Sequence, residues 1–165
     1  MSTPSDVDVR WLSTEQQAHW RAYLVGTARL TDALGRQLER DSGLSLSEYE
    51  VLVRLSEAPG WTLRMSLLAD ELAHSRSRIT HTVRRLEAGG LVERHACDSD
   101  GRGVNCTMTD RGFARLEAAA PGHVRAVRAH LVDVLTDDQL RSLGEAMAAV
   151  RDALSPTAAD AAGGR

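Results

Sequence analysis

Apolar residues recur at spacings of three and four along most of this chain, which predicts a mainly helical protein. The first long helix opens at Ser13, with Gln16 in the position of a capping box. It runs to about Arg40, and Gly43 ends it. Its apolar stripe consists of Trp20, Leu24, Ala28, Leu30, Leu34 and Leu38.

Two shorter helices are predicted next. The first starts at Ser47, has Glu50 at its capping-box position and is broken by Ala-Pro-Gly at 58–60. The second opens at Ser66 and leads into a tight turn at 73–75. The first of these helices is predicted to bury Val51, Leu52 and Leu55, and the apolar residues of the second are Leu67, Leu68 and Leu72.

The fourth predicted helix begins at Arg76 and ends at Ala88, where Gly89 and Gly90 supply a left-handed stop. Successive residues of a helix are ~100° apart around its axis. Three apolar side chains therefore share one face and are predicted to be buried: Ile79, Val83 and Leu86.

The opposite face of this helix is polar and cationic, although the formal net charge of the chain is −3. Its members are Ser77, His81 and Arg84 at the centre, flanked by Thr80 on one side and by Arg78 and Arg85 on the other. No acidic residue occurs from 75 to 85, whereas a merely solvated helix usually alternates acids with bases. Because guanidinium groups match guanine and phosphate, this face indicates contact with a nucleic acid.

Two short strands follow, at 91–97 and 104–109, and an edge strand is predicted at 62–65. Two helices joined by a turn and followed by a β-hairpin have the order of a winged helix-turn-helix. Two more helices are predicted at 110–135 and 137–154. The fold class is therefore expected to be mainly α with a small β-wing.

The composition is that of one globular domain, with 165 residues, 42% of them hydrophobic and 26% charged. No apolar run approaches the ~20 residues that a membrane span requires. The first residues lack the pattern of a signal peptide, so we expect a cytoplasmic protein without a membrane partner. Residues 1–12 and 155–165 lack an apolar period and are expected to be disordered tails.

The stretch from residue 68 to residue 112 resembles the MarR family of bacterial transcription regulators. The wing signature of that family is Asp-x-Arg, followed by hydrophobic-x-Leu-Thr-x-x-Gly. Here it reads DGR at 100–102 and CTMTDRG at 106–112. Cys106 and Met108 occupy positions that valine and leucine usually fill, which is a mild departure.

The resemblance extends over 13–154 and implies a single domain with two parts. Helices at 13–40 and 110–154 would form a dimerisation layer, and 44–109 would form the winged-helix part that binds DNA. The implied protein is a homodimeric regulator, most simply a repressor, which binds double-stranded DNA at an inverted-repeat operator.

The resemblance also implies roles for individual residues. Ser75 and Ser77 match positions that meet phosphates, and His81 stands where relatives often have an arginine that reads a base. Arg102 matches a wing-tip arginine that enters the minor groove, whose negative potential attracts arginine, and Asp100 matches the acid that orients it. The predicted DNA-binding residues are Ser75, Arg76, Ser77, Arg78, Thr80, His81, Arg84, Arg85, Asp100 and Arg102.

An effector site is implied in the same way, as a pocket between the two layers for a small aromatic or phenolic ligand. The candidate aromatic residues are Trp20, Tyr23 and Tyr49, and His19 or Arg21 would pair with a carboxylate or phenolate. Packing in the core or in a dimer is the alternative role for these aromatic residues, and it is slightly favoured.

Cys97 and Cys106 support an alternative hypothesis, a regulator that senses redox state through thiols. If the two arms of the hairpin pair about their loop, Cys97 lies opposite Val104 and Cys106 lies opposite His95. The cysteines are then diagonal, and their separation disfavours a disulfide. We therefore expect packing cysteines.

A winged-helix module that binds proteins is a further alternative, although the acid-free helix argues against it. The chain has no Gly-x-Ser-x-Gly, Cys-x-x-Cys, His-x-Glu or P-loop pattern. We therefore expect no enzymatic activity, bound metal or cofactor.

Overall fold

The computed structural model describes residues 9–97 and 103–154. The chain divides into two units between His123 and Val124, a boundary that lies inside a helix. The expectation of a single domain over 13–154 stays a prediction.

The first helix, α1, spans Thr14–Ser42 and has the predicted ends. The backbone N–H of Gln16 donates to Ser13 Oγ over 3.1 Å, and Ser13 N–H donates to Gln16 Oε1 over 2.9 Å. Gly43 closes the helix in the left-handed conformation, with φ at 66°. Leu38, near the C-terminal end, is fully buried, so this end of α1 joins the core of the first unit.

Helix α2 spans Leu46–Glu57 and begins earlier than predicted. Its N-cap is Ser45 rather than Ser47, and Glu48 rather than Glu50 completes the capping box. Both pairs have the capping-box spacing, and the structure uses the pair whose glutamate is buried beside an arginine of the fourth helix. The predicted burial of three side chains is confirmed for Val51, Leu52 and Leu55.

Helix α3 spans Met65–Glu71, one residue ahead of the predicted start at Ser66. Leu68 is fully buried, whereas Leu67 is 42% exposed. A helix of two turns presents one side to the core, and in α3 that side carries Leu68 and Ala69.

Helix α4 spans Arg76–Ala88, as predicted. The turn before it contains Ala73 at φ 50°. After it, Gly90 adopts the left-handed conformation, with φ at 69°, whereas Gly89 remains right-handed. The predicted buried face is confirmed for Ile79, Val83 and Leu86.

Three antiparallel strands form one sheet in the described part of the chain: β1 at Thr62–Arg64, β2 at Val92–Ala96 and β3 at Val104–Met108. Strand β3 lies in the middle, between β1 and β2. The predicted hairpin and the predicted edge strand are both confirmed, and together with α3 and α4 they form a winged helix-turn-helix.

The register of the hairpin was predicted wrongly by one residue. Cys106 lies opposite Arg94 rather than His95, and Val104 is likewise not opposite Cys97. A shift of one residue turns every side chain of a strand to the other face of the sheet, so the buried face decides the register. In this register the buried residues of the hairpin strands are Val92, Cys106 and Met108.

Helix α5 spans Asp110–His130 and continues through Pro121. It ends earlier than predicted, because a 3-10 turn occupies Val132–Val134. Helix α6 spans Asp137–Leu154, as predicted, and buries none of its residues. No helix in the described ranges is both long and apolar enough to cross a membrane.

The start of α5 packs tightly against the chain that leaves α4. Thr109 Oγ1 accepts a hydrogen bond from the N–H of Gly112 at 3.0 Å and donates to the carbonyl of Gly90 at 2.9 Å. A Cβ atom added at Gly112 would lie 2.1 Å from the carbonyl oxygen of Leu91. This approach between two backbones explains the Thr-x-x-Gly end of the wing signature.

We expect Gly112→Ala to lower the free energy of unfolding by about 3 kcal/mol, because a backbone atom cannot yield to the added methyl group. Gly35→Ala is the matched control, since its added Cβ would have no described atom within 4 Å apart from its chain neighbours and the adjacent backbone of α1. Alanine should stabilise that helical position by up to ~1 kcal/mol. Urea unfolding at fixed protein concentration measures both values, and an unchanged midpoint for Gly112→Ala would contradict the packing argument.

Candidate nucleic-acid interface

The exposed surface of α4 consists of three parallel strips. The central strip comprises Ser77, His81 and Arg84, which are exposed and opposite the buried face, as predicted. The side chains of His81 and Arg84 form no hydrogen bond or salt bridge with any other described residue. The central strip is therefore available for contacts outside the chain.

The wing-side strip comprises Arg76 and Thr80. The hydroxyl of Thr80 donates to the carbonyl of Arg76 over 2.8 Å, so its proton is used in a hydrogen bond within the helix. Arg76 and Thr80 line a groove whose other walls include Arg64 and Ser66.

The α2-side strip comprises Arg78 and Arg85, and both are tied to the N-terminus of α2. Arg78 Nη2 donates to Ser47 Oγ over 2.8 Å. Arg85 Nε donates to Glu48 Oε1 over 3.0 Å, and the other carboxylate oxygen of Glu48 accepts from the backbone of the N-cap residue of α2 at 2.7 Å. Glu48 is only 5% exposed, so Arg85 neutralises a buried charge.

The clamp that Arg78 and Arg85 form with Ser47 and Glu48 was not predicted from the sequence. Residues 75–85 lack acids, but α2 supplies one from 37 positions away along the chain. The signal present in the sequence was the capping-box spacing of Ser45 and Glu48, which predicts a helix start and says nothing of a partner on another helix.

Ser75 caps α4, because its Oγ accepts from the N–H of Arg78 at 3.3 Å. It also lies 3.1 Å from the hydroxyl of Ser77. The predicted contact of these two serines with phosphates stays a prediction.

A second clamp joins α4 to the wing. Arg94 of β2 donates to Glu87 through Nε at 3.0 Å and Nη2 at 2.6 Å, and its backbone N–H donates to the same carboxylate. The hydrogen bond from Arg94 is the main cause that lowers the pKa of Glu87. Sequence patterns did not identify Arg94, since the pair bridges two elements.

The wing tip, with the predicted DNA-binding residues Asp100 and Arg102, lies outside the described residues. Strands β2 and β3, which flank the wing tip, pair in antiparallel fashion.

Both cysteines are buried thiols. Burial raises the pKa of the Cys106 thiol to about 12, so this thiol is protonated and unreactive at neutral pH. Cys97 accepts a hydrogen bond from Arg64 Nη2 at 3.3 Å. Packing is the supported role for Cys106. Sensing of oxidants by Cys97 stays an alternative hypothesis.

The five predicted effector residues have different contacts in the described chain. Trp20 and Tyr23 stack at 5.8 Å and are exposed, whereas Tyr49 is buried and packs on His123 at 4.4 Å. His19 and Arg21 contact neighbours on α1 instead, Glu15 and Gln17 respectively.

No group of three potential metal ligands occurs among the residues that the structure describes.

Comparisons with known proteins agree with the winged helix-turn-helix. The sequence profile of the MarR family matches residues 42–103. The chain is 45% identical to Sco3205 of Streptomyces coelicolor, a MarR family transcriptional regulator whose crystal structure is a complex with DNA. The alignment covers 92% of this chain and 95% of that one, with a TM-score of 0.88.

AbsC, another MarR family regulator of Streptomyces coelicolor, is 38% identical over 88% of this chain and 98% of its own, with a TM-score of 0.82. The HTH-type transcriptional repressor Rv2887 of Mycobacterium tuberculosis is 37% identical over 99 residues, which are 60% of this chain and 69% of that protein.

Fold and site thus define a winged helix-turn-helix protein of the class that regulates transcription. The chain belongs to the MarR family of transcriptional regulators. Its relatives are regulators and not enzymes.

We expect Arg85→Ala to lower the free energy of unfolding by about 1–3 kcal/mol, because it leaves an oxygen of the buried Glu48 carboxylate without its donor. Arg84→Ala, one residue away and outside any salt bridge in the described chain, should change it by less than about 0.5 kcal/mol. Equal urea midpoints for the two variants would show that the clamp does not stabilise the fold.

Proposed function

We propose that this protein is a transcription regulator that binds DNA sequence-specifically through the central strip of α4. One observation carries the proposal: a serine, a histidine and an arginine are exposed in a row on the helix that follows the turn, with no acid between them. In a helix-turn-helix this second helix enters the major groove, where such side chains bond to base edges.

The comparison with Sco3205 supports the same function, since that relative is 45% identical over 92% of this chain and its structure contains DNA. Repression of transcription is the mode that we propose, because Rv2887 is a repressor. The protein would act in the cytoplasm, where bacterial DNA lies.

We further propose a homodimer with two-fold symmetry. Helix α6 buries no residue in the single chain, and its exposed apolar side chains would be covered by a partner. A two-fold dimer places two recognition helices about one DNA turn apart, ~34 Å, and therefore calls for an inverted repeat. The apolar residues concerned, some of them half-buried in the single chain, are Leu131 and Val134 before α6 and Leu140, Leu143, Met147, Val150 and Leu154 on it.

Selection of binding sites from random DNA should yield an inverted repeat, and sedimentation should show a dimer at micromolar concentration.

His81→Ala should change the preferred base at one position per half-site, at a cost of ~1–3 kcal/mol, because His81 faces the major groove. A monomer in the sedimentation experiment would contradict the proposed homodimer. A protein that retains no DNA from the pool would overturn the DNA-binding function and favour a protein-interaction module.

Release of DNA by a small aromatic or phenolic effector also belongs to the proposal. Its support is the exposed, stacked pair of Trp20 and Tyr23, which offers a surface for a flat ligand. Tyr49 contributes only if its packing against His123 opens.

Titration of salicylate into the operator complex should lower DNA affinity about tenfold, which corresponds to ~1.4 kcal/mol of coupling. Tryptophan fluorescence should change over the same concentrations. Tyr23→Ala should weaken the response and leave affinity for DNA without ligand unchanged. If no phenolic compound both alters the fluorescence and releases DNA, the proposal of an effector is wrong, whereas the proposal of DNA binding stands.

A further inference from the structure

Glu50 of α2 differs from its neighbour Glu48 in having no hydrogen-bond donor. The carboxylate of Glu48 accepts from the backbone N–H and the hydroxyl of Ser45 and from Arg85 Nε. Glu50 is half-buried, yet its carboxylate forms no hydrogen bond or salt bridge with a residue that the structure describes. The capping of α2 therefore explains Glu48 and leaves Glu50 without a local role.

Two arginines act on the Glu50 carboxylate. Arg78 of α4 donates to Ser47 Oγ over 2.8 Å, and Ser47 precedes Glu50 by three residues, so the two lie on one face of α2. Arg54 follows four residues after Glu50 and pairs with Glu57 at 3.0 Å. Burial raises the pKa of Glu50, whereas Arg78 and then Arg54 lower it. Because Arg54 already has a carboxylate partner, Arg78 is the cation whose charge Glu50 balances.

The position of Glu50 is unfavourable for folding taken alone. A half-buried carboxylate has lost part of its hydration, and no hydrogen bond with a described residue replaces it. Arg78 does not need Glu50 as an acceptor, since the neutral hydroxyl of Ser47 accepts its hydrogen bond. Residues that lower stability in this way are expected where a protein contacts its ligand. The placement of Glu50 beside the recognition helix therefore indicates a role in DNA binding.

Arg78 lies at the border of the surface that faces DNA. It is exposed in the first turn of α4, ~60–100° around the helix axis from Ser77 and His81 of the central strip. A free guanidinium at this border attracts any phosphate, whatever the base sequence. Charges interact over ~10 Å at about 0.1 M salt, and Glu50 lies about one helical turn, ~5 Å, from the serine that binds Arg78. Glu50 is therefore close enough to cancel much of this attraction.

We propose that Glu50 limits the sequence-independent attraction of DNA by balancing the charge of Arg78. The inference rests on the proposed function and adds a specificity-determining residue to it. The central strip gains affinity from the correct bases, whereas Glu50 keeps the contribution of backbone charge small. A larger share of the total affinity then depends on the sequence of the DNA.

Affinity for a random-sequence duplex tests this inference directly. At about pH 8, well above the ordinary pKa of a glutamate, Glu50→Gln should bind this duplex roughly fivefold more tightly than wild-type protein in about 0.1 M salt. The slope of log affinity against log salt should steepen by about one, because one more arginine displaces counterions. Glu50→Ala removes the charge with a different side chain and should give the same changes.

The increase should depend on Arg78. In an Arg78→Gln background, Glu50→Gln should change the affinity for the random duplex by less than about twofold. The matched control is Glu57→Gln, which makes the same charge change on α2 but releases Arg54 rather than an arginine of α4. It should bind the random duplex as wild-type protein does.

Urea unfolding provides a second readout, which separates a role in DNA binding from a role in folding. Glu50→Gln should not lower the urea midpoint, because the carboxylate loses no hydrogen bond to a described residue. A lower midpoint with unchanged affinity for DNA would identify a structural role and contradict the inference.

The remaining outcomes are distinguishable. If wild-type protein binds the selected inverted repeat but neither Glu50→Gln nor Glu50→Ala binds random DNA more tightly, the inference is wrong and the proposed function stands. The same increase in Glu57→Gln, or an increase that persists without Arg78, would be an effect of net charge and would also contradict the inference. If wild-type protein binds neither duplex, the proposed function and the inference fail together.

Discussion

Burial of the apolar face of α4 is the constraint on which the rest of the site depends. Ile79, Val83 and Leu86 are at most 1% exposed, and burial of three such side chains contributes about 5 kcal/mol or more. No single polar contact of this helix is of that size. Because helix geometry fixes the angles between residues, burying this face decides that the central strip points outward.

Two polar clamps then hold the oriented helix against its neighbours. Glu48 and Ser47 fix one flank to the start of α2, and the pair of Glu87 and Arg94 fixes its last turn to β2. The tight approach of Gly112 to the chain after α4 adds a third point of support. A recognition helix that is supported at both ends and along one flank keeps a constant angle to the wing, which sequence-specific contact with a groove requires.

The acidic net charge of the chain and its cationic helix are reconciled by pairing. The carboxylates of Glu48 on α2 and of Glu87 in the last turn of α4 are each bonded to an arginine. Arg76 and Arg84 form no salt bridge with a described residue, so their field reaches solvent. The net charge is a sum over the whole chain, whereas the local potential that a DNA strand meets depends on the side chains exposed around α4.

The sequence by itself determined what depends on neighbours within a few positions. The capping box of Ser13, the bounds of α4 and its buried face were predicted correctly, because caps and the 3.6-residue period are local, and the wing motif identified the family. Tertiary structure alone decided which of two equivalent capping boxes starts α2, which residue faces Cys106, and whether Arg85 points to a partner or to solvent. Each of these choices depends on residues far apart in the chain. The local spacing of residues fits both alternatives of each choice equally well. Burial of one face of the hairpin, or of the Glu48 carboxylate, favours one alternative over the other.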